Sequence, residues 1–141
     1  MFSIGEMARR TGVKVPTIRY YEELGLIAAP ERTEGGQRRY GRADLDRLAF
    51  IRHARDLGFS LEAIRALLRL SAHPQTPCAD ADAIAAAHLA EVRERIARLE
   101  RLEAELERIA GGCHGETAGE CYVLQALADH GLCGHEHPRE P

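Results

Sequence analysis

Apolar positions fall at helical spacings along almost the whole chain. In "SIGEMARRTG", Ile4, Met7 and Ala8 share one face, Ser3 and Glu6 form a capping box, and Gly12 closes the run. "VPTIRYYEELG" follows within a few residues, with Pro16 in a first helical turn and Gly25 at the stop. Two short helices joined by a tight, glycine-containing turn make a helix-turn-helix pattern. Pro30 ends it. "APERTEGGQRRY", with Gly35 and Gly36 flanked by arginines, reads as a basic loop or small hairpin. "ADLDRLAFIRHARDLGF" predicts a third helix ending at Gly58. "SLEAIRALLRL" predicts a fourth, capped by Ser60, with Leu61, Ile64, Leu67 and Leu68 inward.

Pro74 and Pro77 mark a boundary. From about residue 80 to residue 110 a single helical pattern runs on, about 45 Å long at the usual rise. Leu89, Val92, Ile96 and Leu99 form a seam, which Leu102, Leu106 and Ile109 continue after one short step. Nearly everything else is charged or alanine. A seam so narrow on a helix so long finds no cover of its own size in the chain, so it calls for a partner helix, most simply that of a homodimer. The competing arrangement is a helix lying back on the N-terminal half. Gly111 and Gly112 end the long helix. "ECYVLQALADHG" predicts a short helix with Val123, Leu124 and Leu127 inward and Gly131 as its stop, ahead of a flexible tail.

Composition changes this picture in two ways. With no tryptophan and few aromatics, the core is expected to be aliphatic, and Ala, Leu, Arg and Glu favour helix. The net charge of -3 hides an asymmetry. Residues 1–70 carry 13 Lys/Arg against 9 Asp/Glu, +4, whereas residues 71–141 carry 6 against 13, -7. The basic half is suited to a polyanion. No apolar run has the length of a signal peptide or a membrane span, so the expectation is a cytoplasmic protein without a membrane partner, in which cysteines serve as thiols or ligands.

The second helix offers Lys14, Thr17, Arg19, Tyr20 and Tyr21 to nucleic acid, and the adjacent loop adds Arg32, Arg38, Arg39 and Tyr40. Arginine and lysine pair with phosphates or guanine, and hydroxyls suit backbone contacts. For either Tyr20 or Tyr21 alone, a place in the core is the competing reading. No nucleophile-base pair and no phosphate-binding glycine loop is present, so an enzyme is not expected.

"SIGEMARRTGVKVPTIRYYEELGLI", "RTEGGQRRY" and "FIRHARDLGFSLEAIRALL" together resemble the MerR family of bacterial transcriptional regulators, over about residues 2–127. The resemblance implies an all-α fold with a small β wing: a winged helix-turn-helix head, a two-helix linker and a long antiparallel coiled-coil dimerisation helix. It implies promoter DNA, a second copy and RNA polymerase as partners, the dimer distorting an over-long promoter spacer so that polymerase engages both promoter elements. It places DNA contacts at Arg19, Tyr20 and Tyr21, at Arg32, Arg38 and Tyr40 in the wing, and at Arg55. Gln37 stands where an aromatic is common in the family, and Arg39 is positioned to compensate. The expected organisation is residues 1–75 for the DNA-binding head and linker helices, 76–111 for dimerisation, 112–132 for a metal loop and short helix, and 133–141 for the tail.

The cysteines fit that frame. Cys78 precedes the long helix and Cys113 follows it, too far apart within one chain for a disulfide. In an antiparallel dimer, Cys78 of one copy approaches Cys113 and Cys121 of the other, and three thiolates converge. Cys121 opens a helix whose dipole favours thiolate, and His114 adds a candidate nitrogen ligand. Soft sulfur with one imidazole suits Zn(II), Cd(II) and Pb(II). By resemblance, divalent-ion sensors have a cysteine at the position of Cys78 and copper(I) sensors lack it. Mercury sensors also use three cysteines. The wing and the third and fourth helices look most like zinc-responsive members, and the controlled genes would serve metal efflux or resistance. Cys133, His135 and His137 in the tail are further potential ligands. A redox or electrophile sensor of the same family and a metal-storage or thiol protein are the alternatives.

Overall fold

In the computed structural model, which describes residues 1–32, 34–36, 38–112 and 117–129, helix α1 spans Ile4–Thr11 and starts where its cap predicts. Ser3 is extended, and its Oγ accepts from the Glu6 amide at 3.1 Å. Gly12 ends the helix at φ 74°, a left-handed value that glycine adopts without strain, and its amide donates to the Ala8 carbonyl at 2.8 Å. Helix α2, Val15–Glu23, has proline in its first turn. Strands β1, Glu31–Arg32, and β2, Arg38–Arg39, pair antiparallel with Glu31 opposite Arg39. An isolated bridge ties Phe2 to Tyr40, with N–H···O distances of 2.7 and 2.8 Å, and so fastens the chain start beside the end of the wing.

Helices α3, Arg42–Asp56, and α4, Leu61–Ser71, complete the first unit. Ser60 Oγ accepts from the Ala63 amide at 3.1 Å, the cap expected from the sequence. This unit, Met1–Ile84, holds the core, in which Met7, Ile18, Leu26, Ile27, Leu48, Ile51 and Ile64 are fully enclosed. Burying each such side chain contributes on the order of 1.5–3 kcal/mol against the entropy of ordering the chain. The core is not wholly aliphatic, because Tyr21 and Tyr40 are also buried.

Helix α5 spans Ala79–Ala110, 32 residues, close to the expected limits. Along it Leu89, Ile96, Leu99 and Leu106 remain exposed in the single chain. A 3-10 turn, Ala118–Glu120, leads to α6, Tyr122–Ala128. The second unit, Ala85–Pro141, buries Glu105, Ile109 and Ala126 among its described residues. Here two expectations fail. Leu124 and Leu127 are exposed rather than inward, and Ala126 is the residue enclosed. The helix is capped at Asp129, before Gly131, which lies outside the described residues. In seven residues the inward stripe is one side chain wide, so a small phase error exchanges the buried and exposed positions. Among the described residues no helix is long and apolar enough to cross a membrane.

Candidate functional site

The basic face of the first unit is built on α2. Lys14 at its N-cap, Arg19 and Tyr20 are exposed, and Thr17 is half-buried. Helical periodicity explains the division: Ile18 and Tyr21 point into the core at a spacing of three, which leaves Arg19 and Tyr20 on the outer side. The Tyr20 and Tyr21 rings stand 6.3 Å apart between centroids, tilted by 41°. From the wing, Arg32 is exposed and Arg39 half-buried. Arg38 lies on β2. Arg55 is exposed on α3 and donates to the Phe59 carbonyl at 2.9 Å, closing the turn into α4.

Tyr40 is corrected by the structure. It was expected among the DNA contacts of the wing, yet it is fully enclosed and its hydroxyl donates to Glu22 Oε1. Its main-chain bridge to Phe2 turns the side chain inward, so it joins wing to α2. Tyr21, at 7% exposure, likewise belongs to the core. Gln37 lies outside the described residues.

Three arginines that sequence reasoning passed over as surface charge hold α1 and α2 from behind. Arg52 donates to the Gly12 carbonyl, Arg47 to Leu26 and Arg65 to Leu24, the last at 2.6 Å. Each satisfies a carbonyl at or just beyond a helix end, where no intrahelical donor remains. The available signal was their phase: Arg47, Arg52 and Arg65 adjoin buried Leu48, Ile51 and Ile64.

Cys78 is exposed directly ahead of α5. It helps line a cavity of about 340 Å³ with Phe50, Leu67, Leu70, Pro74 and Pro77. In the second unit Cys121 occupies the N-cap of α6, half-buried, with its amide donating to Ala118 and its carbonyl accepting from Gln125. Neither cysteine is in a disulfide. Cys113 and His114 lie outside the described residues, as do Cys133, His135 and His137. Among the described residues no three His, Cys, Asp or Glu side chains cluster to hold a metal ion.

Sequence reasoning also missed a polar group linked to α6. Glu105 is buried on α5 and bonds Arg108, which in turn donates to the Tyr122 hydroxyl at 2.6 Å. The hydrogen bond to Glu105, then that to Tyr122, holds the Arg108 guanidinium above its ordinary pKa. A charged residue four positions before buried Ile109, on the same face, was the clue.

Residues 2–71 match the profile of MerR HTH family regulatory proteins, and residues 45–109 match that of MerR, DNA binding. The HTH-type transcriptional regulator ZntR of Escherichia coli is 44% identical over 130 residues, covering 90% of this chain and 92% of that protein. Heavy metal-dependent transcription regulator 2 of Rhizobium meliloti is 40% identical over 127 residues, covering 90% and 86%. A crystal structure of a transcription regulator from Ralstonia metallidurans in complex with lead(II) superposes with a TM-score of 0.79 at 38% identity, covering 90% of this chain and 99% of that one. With both profiles matched in the order of its helices, and with such relatives along most of its length, the chain belongs to the MerR family of helix-turn-helix regulatory proteins, which bind DNA and are not enzymes.

Proposed function

We propose that the chain is a homodimeric, metal-responsive activator of transcription that answers to a divalent ion, Zn(II) foremost and Cd(II) or Pb(II) next. It acts in the cytoplasm on promoter DNA with RNA polymerase, and the genes it controls serve metal efflux or resistance. Lys14, Thr17, Arg19 and Tyr20 meet DNA from α2, Arg32, Arg38 and Arg39 from the wing, and Arg55 from α3. Tyr21 and Tyr40 support them from the core.

The placement of the soft donors carries the metal reading. Cys78 is exposed at the start of α5, Cys121 caps α6, and 32 helical residues stand between Cys78 and Gly111. Two thiols with a third at Cys113 suit a thiophilic divalent ion, and Cys78 is supplied by the second copy. The exposed seam of α5 is the surface that a second copy covers. The relatives named for heavy metals and for lead(II) point the same way. Cys113 and Cys121 of one copy and Cys78 of the other would hold the ion, which would supply a link between the two copies. Its binding energy then favours whichever arrangement of the heads brings Cys78 to the partner's loop.

The test is titration of the purified full-length protein with Zn(II), Cd(II), Pb(II), Hg(II) and Cu(I), read by transcription from a promoter it is shown to bind. Activation by Zn(II), Cd(II) or Pb(II), lost in Cys78→Ser, is expected. Activation by Cu(I) alone, or an intact Zn(II) response in Cys78→Ser, overturns the reading.

A further inference from the structure

The ring of Tyr122 lies against Gly112. A Cβ placed on Gly112 would stand 2.7 Å from Tyr122 Cδ1 and 3.1 Å from Cε1, closer than carbon atoms pack, so the ring can sit there only because the residue is glycine. Gly112 immediately precedes Cys113, and Tyr122 immediately follows Cys121. Gly112 and Tyr122, the two residues that flank positions 113–121 in the sequence, are therefore in tight contact.

Helix α5 grips the same tyrosine a second time. Arg108 Nη1 donates to the Tyr122 hydroxyl at 2.6 Å, and its Cζ stands 5.7 Å from the ring centroid. Arg108 is itself fixed by Glu105, with Nη2 2.6 Å from Oε1 and Nε 3.5 Å from Oε2. Glu105 is only 5% exposed, and a carboxylate so enclosed requires a cation, which Arg108 supplies from the next turn of the same helix while its own side chain stays 38% exposed. The chain Glu105, Arg108, Tyr122, Gly112 thus runs from the buried side of α5 to the base of the loop.

We propose that Tyr122, seated on Gly112 and fixed by Arg108 and Glu105, is a positioning residue that closes the base of the metal loop and so sets its affinity for the ion. This rests on the metal reading given above. Two thiolates on a segment whose ends are already joined surrender less conformational freedom on binding than two on an open chain. Tyr122 acts through Gly112, which precedes Cys113, and through Cys121, which precedes Tyr122 itself.

The full-length dimer tests this with Zn(II) affinity measured against a chelating dye, thiolate-to-metal absorption measured with Co(II), and amide exchange of the metal-free protein at Gln125 and Asp129, whose hydrogen bonds return to Cys121 and Gln125. Gly112→Ala and Tyr122→Ala are expected to weaken Zn(II) binding by about 10-fold or more, within the range for groups that orient metal ligands. Both are expected to speed exchange at those amides, with metal-free DNA affinity and dimerisation unchanged. Tyr122→Phe keeps the ring seat and weakens binding by a smaller factor. Unchanged affinity and exchange in all three variants, beside a wild type that binds, overturns this proposal alone. So does a loss of metal affinity matched by an equal loss of metal-free DNA affinity, which would mark general damage to the fold. A wild type without thiolate-to-Co(II) absorption removes the metal reading and this proposal together.

Discussion

Arg65 of α4 donates through Nη2 to the main-chain carbonyl of Leu24, the C-cap residue of α2, at 2.6 Å. The two residues are 41 positions apart, so this contact binds the last turn of the helix proposed to read DNA to the helix that leads towards Cys78. Arg47 reinforces it two residues further on, at the Leu26 carbonyl.

Replacing Arg65 with methionine keeps most of the aliphatic stem and removes the donor. A hydrogen bond from a charged group to a partly buried carbonyl is worth about 1.5–3 kcal/mol, and the exposed end of α2 allows water to recover some of it. Arg65→Met is therefore expected to lower stability by about 1–2 kcal/mol in denaturant unfolding. It should weaken DNA binding as α2 loses its fixed angle, and Arg65→Lys should restore only part of both.

The two serine caps give a cleaner stability test. Ser3 and Ser60 each accept an amide hydrogen bond at 3.1 Å from the residue three positions on. Substitution by alanine leaves that amide without its side-chain acceptor, and the usual cost is about 1 kcal/mol. Ser60→Ala should show this loss by thermal or denaturant unfolding with the salt dependence of DNA binding unchanged, because Ser60 carries no charge and its hydroxyl is engaged by the Ala63 amide.

Most of the fold was legible because caps, glycine stops and helical spacing agree locally. Ser3, Gly12, Ser60 and the α5 boundaries all stand where those signals placed them. What was not legible depends on contacts between distant segments. Tyr40 lies in a basic loop, and only its bridge to Phe2 and its bond to Glu22 turn it inward. The arginines at 47, 52 and 65 look like surface charge until the carbonyls they cap are brought beside them. Leu124 and Leu127 were misplaced because a helix of seven residues has too few turns to define its buried side. The cysteine spacing that suggests a metal loop was visible in the chain, whereas the Tyr122 seat on Gly112 depends on how the segment closes.

Tyr40 and Arg19 should separate a core role from a contact role. Tyr40→Phe removes a buried hydroxyl and leaves Glu22 without that partner, with an expected loss of about 1–3 kcal/mol in stability. Its DNA affinity should keep the wild-type dependence on salt. Arg19 is exposed on α2, so Arg19→Ala should leave the unfolding midpoint within the scatter of surface changes. If Arg19 meets a phosphate, its loss reduces the slope of log affinity against log salt by about 0.9. If it reads a base, the loss falls on one position of the preferred sequence. A salt titration of both variants on the same DNA decides between these outcomes.

The seam of α5 makes the last prediction. Leu99 and Leu106 are 60% and 65% exposed in the single chain, and with Leu102 and Ala110 they line an apolar furrow flanked by Glu103 and Glu107. Water contact along so regular a row costs about 25 cal/mol for each Å² of apolar surface, which a partner helix removes. A charge introduced there would have to give up water in the paired state, and in an isostructural monomer it would stay solvated. Leu99→Glu is therefore expected to shift the protein towards monomer in sedimentation equilibrium, while the first unit, with its core between Met7 and Leu68, keeps its unfolding transition. Binding to a two-fold symmetric DNA site should fall further than binding to a half-site, because only the dimer gains from linking two heads. A Leu99→Glu protein that remains dimeric at micromolar concentration would place the interface elsewhere than on this seam.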